Sequence, residues 1–154
     1  MMLNKVSQGI MKRVLELSQD NLDENKVPIA AVIFDPQSKK IISEAKNTDD
    51  PLGHAEMHAI RKATKKLKQN RLNGLDIYVT IEPCPMCAYA ISKVNITKVY
   101  FGCEDQKGGG IFNGVKIYTN SNIWKPEVIS HVYENESRNL IQQFFKNKRK
   151  NKAL

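Results

Sequence analysis

The spacing of apolar positions changes several times along the chain, and each change predicts an element. Residues 2–19, "MLNKVSQGIMKRVLELSQ", alternate apolar with polar and charged positions and predict an amphipathic first helix. "VPIAAVIFD" (27–35) is a nearly continuous apolar run, and "KIISEAKN" (40–47) follows the turn "PQSK". Together they predict a β-hairpin with at least one well-buried strand. From Ala55, apolar residues recur at Met57, Ile60, Ala63 and Leu67, a helical period that ends near the turn "NRLNG". "LDIYVTIE" (75–82) and "ITKVYFGC" (96–103) are rich in β-branched residues and predict strands, with a short helix over "PMCAYAISKV" (85–94) between them. Pro85 stands at a favoured first-turn position of that helix. "EVISHVY" (127–133) predicts a last strand, and from Glu134 to about Lys150 a closing helix carries Leu140, Ile141, Phe144 and Phe145. Strands alternating with helices imply a layered α/β fold with parallel strand pairs. No repeat or linker-like segment divides the chain, so residues 1–154 read as one domain with a basic C-terminal end at 146–154.

Composition adds little to this but excludes some classes. Hydrophobic residues make up 41% and charged ones 26% of 154 residues, ordinary for a soluble globular protein. No apolar run approaches a membrane span, and the N-terminal segment reads as an amphipathic helix and not as a signal peptide, so no membrane partner is expected. Three cysteines without an export signal argue for a reducing cytoplasm and against a disulfide framework. A formal charge of +8 suits an anionic partner such as nucleic acid, although a lysine-rich composition gives the same number without one. The glycines at 108–110 are not followed by the lysine and Ser/Thr of a phosphate loop, and they read as a flexible loop.

Two motifs carry chemistry: His54-Ala55-Glu56 and Pro83-Cys84-Pro85-Met86-Cys87. Each alone is weak. Together they offer one histidine and two cysteines, each at the start of an expected helix, where N–H groups and positive partial charge favour the thiolate that zinc requires. Three protein ligands leave a fourth position for water, which distinguishes catalytic from structural zinc. The pattern H-x-E…P-C-x-x-C is the zinc deaminase signature, with the glutamate as proton carrier and not as a ligand. His58, four residues after His54, suggests a zinc protease, but that motif places its glutamate directly after the first histidine, where this chain has Ala55. Cys103 offers a different alternative: it would close a Cys₃His site and leave a non-catalytic structural-zinc module. Read without metal, Cys103 is a small buried hydrophobe.

The segments "VPIAAVI", "DPLGHAEMHAIRKA", "TIEPCPMCAYAI", "VYFGCEDQKGG" and "IQQFFKNKRK" span nearly the whole chain. In them the sequence resembles the bacterial tRNA-specific adenosine deaminases of the cytidine-deaminase-like superfamily. The resemblance implies a three-layer α/β/α sandwich on a five-stranded mixed sheet, working as a homodimer. It implies zinc-dependent hydrolytic deamination of the wobble adenosine in a tRNA anticodon to inosine, with release of ammonia. His54, Cys84 and Cys87 would hold one Zn2+ per subunit with a bound water, and Glu56 would shuttle protons. Asn47, Pro28, Ala30 and Pro83 would form the base site. The segment from Asn47 to His54 is shorter than this family usually has, and Ala30 stands where the family often has glycine. "PCPMC" is also similar to bacterial guanine deaminases, a free-base alternative on the same fold.

Two basic clusters are candidates for the tRNA backbone. Arg61, Lys62, Lys65, Lys66, Lys68 and Arg71 lie on and after the first metal helix, where a solvated helix face is the favoured reading because that helix needs a polar exterior anyway. Lys146, Lys148, Arg149, Lys150 and Lys152 continue past the apolar stripe of the closing helix. Phe144 and Phe145 could stack on bases, but their helical spacing with Leu140 and Ile141 reads as core.

Overall fold

A computed structural model describes residues 3–153. Residue 2 of the expected first helix and Leu154 of the expected basic end lie outside them. Helix α1 (Lys5–Asp23) starts later than the apolar pattern suggests, because the Asn4 side chain caps it by accepting from the Ser7 N–H at 2.8 Å. Strand β1 (Ala30–Asp35) also starts later than position 27, since Pro28 has no N–H to give to a ladder. Next come β2 (Lys40–Lys46), α2 (Ala55–Leu67), β3 (Asp76–Ile81), α3 (Pro85–Lys93) and β4 (Lys98–Cys103), each within about three residues of its expected bounds. Strand β5 (Glu127–Ile129) is shorter than the expected 127–133, because His131 and Tyr133 adopt left-handed backbone angles of φ 63° and 52° that no strand allows. Helix α4 runs over Glu134–Ala153.

The sheet order is β2-β1-β3-β4-β5, with β1 antiparallel to both neighbours and β3, β4 and β5 parallel. The sheet is therefore five-stranded and mixed, and helices cover both faces. Period-two alternation divides the core. Ala30, Val32, Phe34, Tyr78 and Tyr100 face α1 and pack with Met11, Val14 and Leu17, and the rings of Tyr78 and Tyr100 stack at 4.1 Å. Ala31, Ile33, Ile77, Val79, Val99 and Phe101 face the other way and pack with Ala55, Ala59 and Ala63 of α2 and Ala88 and Ile91 of α3. Alanines on α2 let that helix lie close to the sheet.

Strand β2 is an outer edge, and two lysines cover part of it. Lys62 donates to the Glu44 carbonyl at 2.9 Å and Lys66 to the Ile42 carbonyl at 3.3 Å. Unpaired edge carbonyls invite strand addition, so these side chains guard the sheet. The α2 cluster is thus partly explained by the fold.

Asp76 sits at the sheet end away from the α2 and α3 N-termini and is buried. Burial pushes its carboxyl up to about 6, against the pull of Lys98 and with a further push from Glu127. A carboxyl with a folded-state pKa above its unfolded value favours folding only while protonated, so this site's contribution is present near pH 4 and is lost as pH rises to about 6. We expect Asp76→Asn to raise stability at pH 8 by about 1–2 kcal/mol, after allowance for partial solvent screening, and to have no benefit at pH 3.5. Urea melts of both proteins at the two pH values check this.

Candidate metal and active site

Strands β2 and β3 run in the same direction on either side of β1, so the turns leaving their carboxyl ends emerge side by side. Helix α2 follows the first turn and α3 the second. His54 and Cys84 occupy the N-cap positions of these helices, and neither side chain caps its own helix. Both are therefore directed elsewhere. Cys87, on the first turn of α3, joins them: His54 Nδ1 lies 3.4 Å from the Cys84 sulfur and 3.4 Å from the Cys87 sulfur. All three donor atoms lie within 4.8 Å of one another, and among the described residues this is the one such group that could hold a metal ion. A tetrahedral ion with a metal–nitrogen bond of about 2.0 Å and metal–sulfur bonds of about 2.3 Å would set each N···S distance at about 3.5 Å. The donor set fits.

Glu56, in the first turn of α2, is only 3% exposed. Burial pushes its carboxyl up to about 7, and the Cys84 sulfur adds to the rise. The two thiols shift in opposite directions. Donation from Cys87 brings Cys84 down to about 5, and the same bond raises Cys87. A dication on the two sulfurs would favour the thiolate form of both.

The other candidates divide. His58 Nε2 lies 3.1 Å from Thr48 Oγ1, bracing the β2–α2 loop, and is outside the donor group. Cys103 is likewise outside it, buried at the end of β4, where burial raises its thiol to about 11. Asn47 is tied in on three sides. Its N–H donates to the Ile29 carbonyl, its carbonyl accepts from Asn21 Nδ2, and its Oδ1 accepts from Ala55 N–H at 2.7 Å. That last bond leaves Nδ2 as the group it can offer outward. The short loop between Asn47 and His54 closes on itself through Thr48 N–H to the Gly53 carbonyl at 2.9 Å, and a Cβ on Gly53 would collide with Thr48 Oγ1.

Pro28, Ala30 and Pro83 do not stand at an accessible surface. Ala30 is fully buried in the α1-facing core, and Pro28 and Pro83 are buried as well. Val27, Ile29 and Ile81, at these strand ends, line a groove of about 1030 Å³ that runs to α4. The groove does not include the three donors; it lies beside them. Phe145 and the candidate cations Lys146 and Arg149 line it too. Phe144 is core as expected, but Phe145 is 52% exposed. Lys148 instead sits 5.0 Å over the Phe144 ring, and Lys150 is exposed outside the groove lining.

The most heavily bonded side chain near the site is one that sequence reasoning passed over. Glu82, 1% exposed and directly before Pro83, accepts from the main-chain N–H groups of Asp105, Ile111, Phe112 and Asn113 at 2.9–3.1 Å and from Asn113 Nδ2 at 2.6 Å. Burial raises its carboxyl, but these bonds outweigh burial and bring it below the usual carboxylate value. The glycine loop packs onto it. A Cβ on Gly109 would lie 2.3 Å from Glu82 Oε2, and one on Gly110 2.5 Å from the Pro85 nitrogen. Gly109 and Gly110 are buried, so the flexible loop read from the sequence is a packed turn. A charge ending an apolar strand, immediately before the cysteine motif, was the available signal.

The chain's similarities agree with this geometry. Residues 6–149 match the profile of the MafB19-like deaminase family. A curated tRNA-specific adenosine deaminase from Rickettsia felis is 38% identical over 142 residues, covering 88% of this chain and 98% of the relative. One from Agrobacterium fabrum is 39% identical over 132 residues, covering 82% and 86%. A structure solved in work on A-to-I editing by tRNA:A34 deaminases at the wobble position superimposes with a TM-score of 0.80 at 36% identity, covering 84% of this chain and 96% of the other. With the deaminase profile matched over nearly its whole length and relatives this similar end to end, the chain belongs to the tRNA-specific adenosine deaminase family.

Proposed function

We propose that this protein hydrolyses the wobble adenosine of a tRNA anticodon to inosine and ammonia, with one zinc ion held by His54, Cys84 and Cys87. The observation that carries the reading is the convergence of these three donors beside the buried carboxylate of Glu56. The family relationship supports the choice of substrate. When bound, zinc would supply the Lewis acidity that makes water a nucleophile near neutral pH.

Glu56 is the proton carrier. It sits one helical step past His54, too buried to titrate freely with solvent, and a carboxyl near neutrality both takes and returns a proton at working pH. It receives the proton of the attacking water, passes it to the purine ring nitrogen, and a proton then accompanies the amine lost from C6. Water adds its oxygen to C6 and ammonia leaves, so atoms balance. Asn47, with Oδ1 occupied by Ala55 N–H, presents Nδ2 to an acceptor on the base. The groove beside the donors holds the flanking nucleotides. Lys146 and Arg149 face phosphates there, Lys150 extends the positive surface, and the exposed Phe145 ring gives a stacking face. An anticodon-loop base is already unpaired, so extruding it costs less than opening a duplex. The reading includes a cytoplasmic homodimer, as the family resemblance implies, and the three free cysteines suit a reducing compartment.

Purified zinc-loaded protein should convert the wobble adenosine of an anticodon stem-loop RNA to inosine and leave free guanine untouched. Glu56→Ala should lower the rate by about 10²–10⁴-fold or more while one zinc per chain is retained. Ammonia release from guanine without RNA would replace this reading with a guanine deaminase.

Chelation separates catalytic from structural metal. Zinc removal should abolish turnover and leave a cooperative thermal transition at lower temperature, with activity restored by added zinc. Outright unfolding on chelation, together with an unchanged Glu56→Ala variant, would identify a structural-zinc module instead.

A further inference from the structure

Glu82 is a charged group in a place where charge is unfavourable. A buried ion adds little net stability over an apolar side chain of similar size, so stability alone is a poor reason for it. What a carboxylate offers and an apolar side chain does not is several directional bonds at once. Here all its bonds run to one loop. The N–H groups of Asp105, Ile111, Phe112 and Asn113 and the Asn113 amide converge on its two oxygens. Its own N–H donates to the Cys103 carbonyl, and Gly110 N–H donates to the carbonyl of Pro83, the next residue.

The loop so held forms one wall of the groove. Asp105, Lys107 and Gly108 line the groove opposite Phe145, Lys146 and Arg149 of α4. The wall has its own local order: Asp105 Oδ1 accepts from Gly108 N–H at 2.9 Å, and the Asp105 carbonyl accepts from Gly109 N–H at 2.9 Å. Glu82 ties that ordered turn to the strand end carrying Pro83 and Cys84. Five of the bonds that set the spacing between groove wall and donor turn therefore converge on one carboxylate, beside the Gly110–Pro83 main-chain bond.

We infer that Glu82 is a positioning residue for the polynucleotide substrate: its five bonds to residues 105–113 set the groove wall that holds the nucleotides flanking the reacting base. This rests on the RNA-deaminase reading given above. Glu82 touches neither the base nor the donor atoms in this account. Its loss should loosen RNA binding more than it slows chemistry.

The test uses the full zinc-loaded chain with Glu82→Gln, which places an NH₂ among N–H donors, and Asn113→Ala, which removes one side-chain donor and leaves Glu82 in place. Zinc content, kcat and KM on an anticodon stem-loop RNA are measured for each, and RNA affinity is measured again in a Glu56→Ala background. The expected result is a KM and a Kd raised about tenfold, kcat within about threefold of wild type, and full zinc occupancy. Unchanged KM and Kd in a folded variant would overturn the inference. So would loss of zinc or a fall in kcat without a rise in KM, since Glu82 would then support only the donor turn. If Glu82→Gln fails to fold, Asn113→Ala decides alone. A wild-type protein inactive on the RNA would instead remove the functional reading, and this inference with it.

Discussion

A group of three side chains that could hold a metal ion, drawn from two distant segments, requires those segments to come to the same place. In this fold the requirement is met by β1, which runs antiparallel to both of its neighbours and so makes β2 and β3 parallel to each other across it. Their carboxyl ends point the same way, and the helices that follow begin next to one another. Everything chemical depends on that arrangement. It aligns the positive ends of α2 and α3 on one spot, which suits two sulfur anions, and it places Glu56 in the first turn of one helix with Cys87 in the first turn of the other.

The donor group was legible because its spacing is local. A two-residue step from His54 to Glu56 and a three-residue step from Cys84 to Cys87 are each fixed by one helical turn. The main elements were legible for a similar reason: the buried β1 and β3 and the alanine-faced α2 have strong periodic patterns. The limits of β1 and β5 were not. Pro28 and the left-handed His131 and Tyr133 act through backbone geometry that apolarity does not register.

The groove was less legible. Ile29 lines the groove while Ala30 beside it is buried in the core. Phe144 and Phe145 divide in the same way around a helix, one in the core and one on the surface. Glu82 escaped notice because its partners lie 23–31 residues downstream, in a loop whose glycines looked permissive and prove to be tightly packed. Such glycines are required by what they touch, which only the folded chain reveals.

The lysines at 62 and 66 change how the charge of this protein should be understood. With a formal charge of +8, the whole chain looks like a polyanion-binding surface. Yet these two cations hold main-chain carbonyls of the edge strand, and to release them toward phosphate would uncover that edge. Only some of the lysines are then free to displace condensed counterions from a polyanion, so the salt dependence of any such binding should be shallower than a simple count of basic residues implies. Part of the positive charge keeps one copy of the sheet from joining another, and belongs to solubility more than to recognition.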